Sequence, residues 1–240
     1  PHRSHERAVQ AETDAEMTLR LTKKEKIRGW FFLLGQLLAV PFAVALLCLW
    51  MGIYSDTTIN TICFFLNGAL AVLVFRQLLE QSFHTRQGRW MQTVLTVLKG
   101  LGLHWMLSLA VSMVIFQIDP NFGNVNDANV GSMLSESPLL MTIAVIFAAP
   151  LAEECLFRGW MFTGLAEKSI PLAYAVTCGF FSAAHVVGYI GHYDALTLVL
   201  CFAQYLGPSI ALCWTCERDD SLCAPLLMHM SVNALACLLM

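Results

Sequence analysis

The sequence predicts an all-α fold: a polytopic membrane helical bundle of about seven transmembrane helices, preceded by a short amphipathic N-terminal arm. Three observations predict it. First, 57% of the 240 residues are hydrophobic and 13% charged, about half the charged share of an ordinary soluble domain. Second, seven apolar segments approach or exceed the roughly 20 residues that cross a hydrocarbon core of about 30 Å. They run at about 29 to 54, 59 to 80, 91 to 118, 138 to 166, 170 to 190, 194 to 215 and 221 to 240. Third, lysines and arginines gather in alternate connections, the pattern that orients membrane helices with positive loops inside.

Taken in order, residues 1–28 hold seven cations, Arg3, Arg7, Arg20, Lys23, Lys24, Lys26 and Arg28. They read as a cytoplasmic arm, a solvated tail whose basic end flanks the bilayer, with a partly helical segment lying on the membrane surface as the alternative. The arm is too long and mixed for the basic region of a signal peptide, so the first apolar segment is expected to be a membrane anchor. The second connection carries Arg76, Arg86 and Arg89, and the fourth and sixth carry Lys168 and Arg218. The first, third and fifth, "SDTT", "DPNFGNVNDANVGSMLSES" and "GHYD", carry no cation. The N-terminus is therefore expected in the cytoplasm and the C-terminus outside. The third connection, rich in Asn, Asp, Ser and Gly, reads as a solvated linker rather than a cover over the outer face. The chain divides into a cytoplasmic arm (1–28), three N-terminal spans and a loop (29–137), and a core that carries the chemistry (138–240).

The nine cysteines lie mostly in apolar runs, where cysteine behaves as a small hydrophobe, so no disulfide framework is expected. Cys213 and Cys216 form "CWTC", but no second ligand pair accompanies them to make a zinc or redox site.

Chemistry is expected where charge enters the membrane, because ionisable residues in spans are costly and mark function. The stretch "APLAEECLFRGWMF" holds Glu153, Glu154 and Arg158. Glu154 and Arg158 are four apart and can pair on one helix face, whereas Glu153 projects about 100° round the helix and is free for another task. In "GFFSAAHVVGY", Phe181 and His185 share a face, and in "APLLMHMSVNAL" so do His229 and Asn233. At about 1.5 Å per residue, Glu154, His185, His229 and Asn233 lie roughly 20, 22, 12 and 18 Å from the cytoplasmic ends of their helices. All four can share one layer, with a cavity that opens most simply to the cytoplasm. His104 is expected to bond a neighbouring helix, Lys99 to reach for the membrane surface, His192 to be solvated, and Ser182 and Ser231 to pack.

Three motifs in order, Glu153-Glu154-x-x-x-Arg158, Phe181-x-x-x-His185 and His229-x-x-x-Asn233, each on its own membrane helix, resemble the CPBP family. That family includes the CAAX prenyl endopeptidases and bacteriocin-processing (Abi) enzymes. The resemblance covers about residues 138 to 240 and implies an intramembrane glutamate protease. Glu153 would be the base that activates water, His185 would help to position that water, and His229 and Asn233 would stabilise the oxyanion. Glu154, Arg158 and Phe181 would support them.

The residues themselves suit peptide hydrolysis without a serine or cysteine nucleophile, which needs a water, a base and an oxyanion donor. No metal and no cofactor is expected. Glu, His and His could alternatively hold zinc, although no H-E-x-x-H is present. Two other classes stay open: a proton-coupled transporter, against which stands the lack of inverted repeats, and a non-catalytic scaffold of immunity type that binds a peptide or partner. The expected partners are a peptide or protein substrate at the membrane and the lipid bilayer. Nothing in the sequence points to nucleic acid, nucleotide or haem. A bacteriocin or pheromone leader, or a CAAX-type C-terminus, would be the substrate, and the compact chain leans towards a bacterial cell membrane.

Overall fold

The computed structural model describes residues 18–239. Arg3 and Arg7 of the arm therefore lie outside the described residues. In chain order the helices are α1 (Lys23–Trp50), α2 (Asp56–Val74), α3 (Arg76–Arg86), α4 (Trp90–Ile118), α5 (Val125–Glu136), α6 (Pro138–Ala166), α7 (Ile170–Ala184), α8 (Ala195–Asp219) and α9 (Cys223–Leu239). A short 3₁₀ turn, Val187–Tyr189, follows α7. Six helices are long and apolar enough to cross a membrane: α1, α2, α4, α6, α7 with its turn, and α8. The apolar α9, with 17 residues, is shorter. The protein is a polytopic helical bundle, and no β-strand occurs among the described residues.

α6 is the central helix. Of its most apolar stretch 56% is buried inside the protein, against 11% for α4, whose surface faces outward. Because lipid tails are as apolar as leucine, association in a bilayer depends on close packing, which small residues permit. A Cβ on Gly68 of α2 would stand 3.0 Å from the Ala148 carbonyl oxygen of α6. One on Gly207 of α8 would stand 3.1 to 3.3 Å from Leu107 and Ser108 of α4. These two glycines bring α2 against the site-bearing helix and α8 against α4.

The structure corrects the sequence reading of three segments. Residues 18–28 are not a solvated tail: Leu19, Leu21 and Glu25 are buried, and the first helix already begins at Lys23. Asp220, in the left-handed turn after α8, accepts the backbone N–H groups of Thr18 (2.9 Å) and Leu19 (3.0 Å) and straps this segment to the α8–α9 turn. The second apolar segment does not run to residue 80; α2 ends at Val74 and α3 starts at Arg76. Glu25 explains the break. Its Oε2 accepts from the Thr22 N–H (3.0 Å) in a capping box at the start of α1, and its Oε1 accepts from the Leu78 N–H (2.9 Å) in the first turn of α3. One buried carboxylate thus satisfies orphan donors of two helices. The third correction, the helix α5 inside the third connection, belongs with the site.

Glu25→Ala should accordingly lower stability by about 1–3 kcal/mol, because it leaves buried backbone donors unpaired. A thermal melt in detergent that matches wild type would show that these caps hold nothing.

Candidate active site

α6 carries the charged residues and is not a regular helix. Two wide π turns, Ala144–Ala148 and Cys155–Phe162, flank the short α-helical stretch Ala149–Glu154. The first follows from the sequence. The Ala149 N–H bonds back to the Ala144 carbonyl, and Pro150, five residues after Val145, has no N–H to give. The Val145 carbonyl is left to a side chain, and Asn233 Nδ2 of α9 donates to it at 2.8 Å. π turns of this kind recur at functional sites, and here one fixes α9 against the helix that bears the glutamates.

Glu154 and Arg158 pair as their spacing predicts, with Arg158 Nη1 3.0 Å from Glu154 Oε1 and both side chains almost fully buried. Arg158 also donates through Nη2 to Ser209 Oγ (2.8 Å) and to the Ser209 carbonyl (3.2 Å) on α8, and its guanidinium lies 4.4 Å over the Phe181 ring. The same Glu154 Oε1 lies 2.7 Å from His229 Nδ1. A carboxylate oxygen bonded to the guanidinium accepts, so His229 Nδ1 carries the proton and its Nε2 faces the other way.

His185 repeats the arrangement. It stands at the C-terminal end of α7, and its Nδ1 lies 2.8 Å from the Phe181 carbonyl oxygen. That oxygen can only accept, which again places the proton on Nδ1 and turns Nε2 outward. Both outward atoms face a single oxygen: His185 Nε2 and His229 Nε2 are each 3.9 Å from Glu153 Oε2. The side chains of Glu153, His185 and His229 keep 18, 17 and 10% of their exposure, whereas Glu154 and Arg158 keep 1 and 0%. The charged cluster therefore has a sealed half, Glu154 and Arg158, and a less buried half, Glu153, His185 and His229. Phe181 sits between them, its ring centre 4.5 Å from that of His185 and 6.1 Å from that of His229.

Glu153, Glu154, Arg158, Phe181, His185 and His229 are thus brought together from three helices. Asn233 is placed differently: the contact it makes is to Val145, a bond between helices. Among the described residues no group of three or more His, Cys, Asp or Glu side chains is arranged to hold a metal ion.

Residues 135–235 match the family model described as type II CAAX prenyl endopeptidase Rce1-like. This segment is an Rce1-like domain. It spans α6 to α9 and contains every site residue named above. No curated protein and no solved structure matches the chain. The match supports a CAAX-type endopeptidase in general for this segment, with a peptide or protein as the corresponding class of substrate, and the six long apolar helices fit a membrane-embedded chain.

Two residues of the Rce1-like domain were not singled out from the sequence, Ser209 and Tyr205, both on α8. Ser209 holds Arg158, as described. Tyr205 stacks on His185 with ring centres 4.2 Å apart and planes at 26°. A polar Gln204-Tyr205 pair and Ser209 inside an apolar span were the available signal. The third connection also departs from the linker reading. Residues 125–136 form α5, with Asn124 as its cap, accepting the N–H groups of Asn126 (2.9 Å) and Asp127 (3.3 Å). Its asparagines read as loop by composition, yet they find partners on neighbouring segments: Asn124 Nδ2 donates to Gln204 Oε1 of α8 at 2.8 Å, Asn129 Nδ2 to the Tyr189 hydroxyl at 3.2 Å, and Val125 is buried against Val186 and Cys201.

Of the residues left aside, Lys99 and His192 are exposed and Ser182 is buried, whereas Ser231, expected to pack, is exposed with its Oγ donating to the Leu227 carbonyl of its own helix. His104 differs: it is buried edge-on to Trp105, and its Nδ1 has no hydrogen-bond partner among the described residues, so it does not bond a neighbouring helix through that atom. All nine cysteines are free thiols, and the CWTC pair is buried, with Cys213 Sγ 3.9 Å from Cys178 Sγ.

Proposed function

We propose that the chain is an intramembrane glutamate endopeptidase in which Glu153 activates water. The observation that carries this reading is the pair of 3.9 Å separations from one Glu153 oxygen to two imidazole Nε2 atoms. That distance exceeds a direct hydrogen bond and suits a bridge through one water molecule. In this reading Glu153 takes a proton from the substrate water as it attacks the scissile carbonyl, and later gives it to the leaving amine. His185, neutral with its proton on Nδ1, offers the Nε2 lone pair to that water and holds it in line. His229 and Asn233 are assigned to the oxyanion: His229 would donate from a protonated Nε2 while its Nδ1–H is held by Glu154, and Asn233 would donate the Nδ2 hydrogen that the Val145 carbonyl does not use. Glu154, Arg158 and Phe181 hold the two imidazoles in these orientations.

The substrate we propose is a peptide or membrane-associated protein cut near the bilayer, of CAAX type or a bacteriocin or pheromone leader, in a bacterial cell membrane. The N-terminus is assigned to the cytoplasm. The cavity is assigned a cytoplasmic opening, because His229 is expected to lie nearest the cytoplasmic end of its helix. Residues 138–240 would be the catalytic core, 1–28 a cytoplasmic arm, and 29–137 three spans and a loop that support the core.

The test is cleavage of internally quenched peptides by the purified protein in detergent, with prenylated and unprenylated C-terminal cysteine sequences and leader-type sequences side by side. Cleavage should continue in the presence of a metal chelator. Loss of cleavage with chelator and its recovery on adding zinc would replace the glutamate mechanism with a metal one.

A further inference from the structure

We infer that Tyr205 is a positioning residue for His185, and that α5, from outside the Rce1-like core helices, holds Tyr205 in place. The inference rests on the reading of His185 as a catalytic group. His185 follows the last turn of α7, where the helix gives way to a 3₁₀ turn, so its backbone alone does little to fix the ring. Three contacts fix it instead: Nδ1 to the Phe181 carbonyl, one ring face towards Phe181 (4.5 Å, 44°), and stacking on Tyr205 (4.2 Å, 26°).

Tyr205 is in turn pinned at its far end. Its hydroxyl donates to Asp127 Oδ1 at 2.8 Å and accepts from Asn126 Nδ2 at 2.9 Å. Asn126 Oδ1 accepts from the Tyr189 hydroxyl at 3.2 Å, and that hydroxyl accepts from Asn129 Nδ2 at 3.2 Å. Every group in this chain has its donor and acceptor roles assigned, which sets the plane of the tyrosine ring as well as its position. The imidazole and α5 therefore share one aromatic ring, and a shift of α5 is transmitted to the water-positioning nitrogen. Small displacements matter, since misplacing a reacting group by about 1 Å can cost about 100-fold in rate.

The experiment measures kcat, KM and thermal midpoint for wild type, Tyr205→Leu, Tyr205→Phe, Asp127→Ala and His185→Ala on one peptide that the wild type cleaves. Tyr205→Leu, which loses stack and anchor, should lower kcat by about 30- to 100-fold with KM within about twofold of wild type. Tyr205→Phe keeps the stack and should recover most of that loss, and Asp127→Ala should lower kcat by roughly 3- to 10-fold. Should Tyr205→Leu fail to fold, Tyr205→Phe and Asp127→Ala decide: wild-type kcat in both overturns the inference. Wild-type kcat in a folded Tyr205→Leu beside an inactive His185→Ala also overturns it while leaving the catalytic reading intact. An active His185→Ala overturns that reading itself.

Discussion

Glu153→Gln is expected to fold as wild type does and to lose peptide hydrolysis by about 10³-fold or more in kcat, in line with removal of a general base from the reacting water. The two halves of this expectation have separate grounds. Folding should survive because Glu153 Oε2 makes no hydrogen bond to the described residues, and its imidazole neighbours stand 3.9 Å away. The amide matches the carboxylate in shape and breaks no ion pair, since Arg158 is committed to Glu154. Activity should fail because the glutamine side chain cannot take the proton that the Glu153 carboxylate takes from the attacking water. The check is a steady-state rate beside a melting curve for the same preparation. A folded Glu153→Gln that keeps a tenth of the wild-type rate would remove the proposed base. Glu154→Gln offers the contrast, for there the same chemical change removes the negative charge that faces both His229 and the buried Arg158 and should disturb the melt as well.

How far the site could be read from the sequence follows from which contacts lie within one helix. Glu154 with Arg158 and Phe181 with His185 are four residues apart, so helical spacing alone pairs them, and the structure brings them together. The convergence of α6, α7 and α9 was legible only because polar residues inside apolar spans are rare enough to stand out. Contacts that depend on a partner far along the chain were not legible. The break after α2 depends on Glu25, 53 residues before the Leu78 N–H that it accepts. The helix α5 depends on tyrosines 189 and 205 to take up its asparagines, which otherwise have the composition of a loop. Asn233 shares a helix face with His229 and takes its expected oxyanion role from the family resemblance; its bond to the Val145 carbonyl, which Pro150 leaves free, comes from a local turn that periodicity does not reveal.

Arg158→Met is the second large effect, and it falls on stability and activity together. Arg158 is the bulkiest fully buried side chain among the described residues, enclosed by α6, α7 and α8, and it neutralises a glutamate that has no water to turn to. Removing one partner of a buried pair typically costs about 3–5 kcal/mol because the other charge is left uncompensated. The cost of the charge can be separated from the cost of the shape. Glu154→Gln together with Arg158→Met leaves no ion of this pair buried, so the double variant should melt above Arg158→Met alone. Activity should not follow stability. In the double variant His229 faces a neutral carboxamide rather than a carboxylate, the second proton that the oxyanion step calls for loses its counter-charge, and kcat should stay low although the fold is regained. A double variant no more stable than Arg158→Met would mean that Arg158 acts through its volume and its bonds to Ser209, not through its charge. Recovery of activity along with the fold would mean that the Glu154 carboxylate is dispensable to His229.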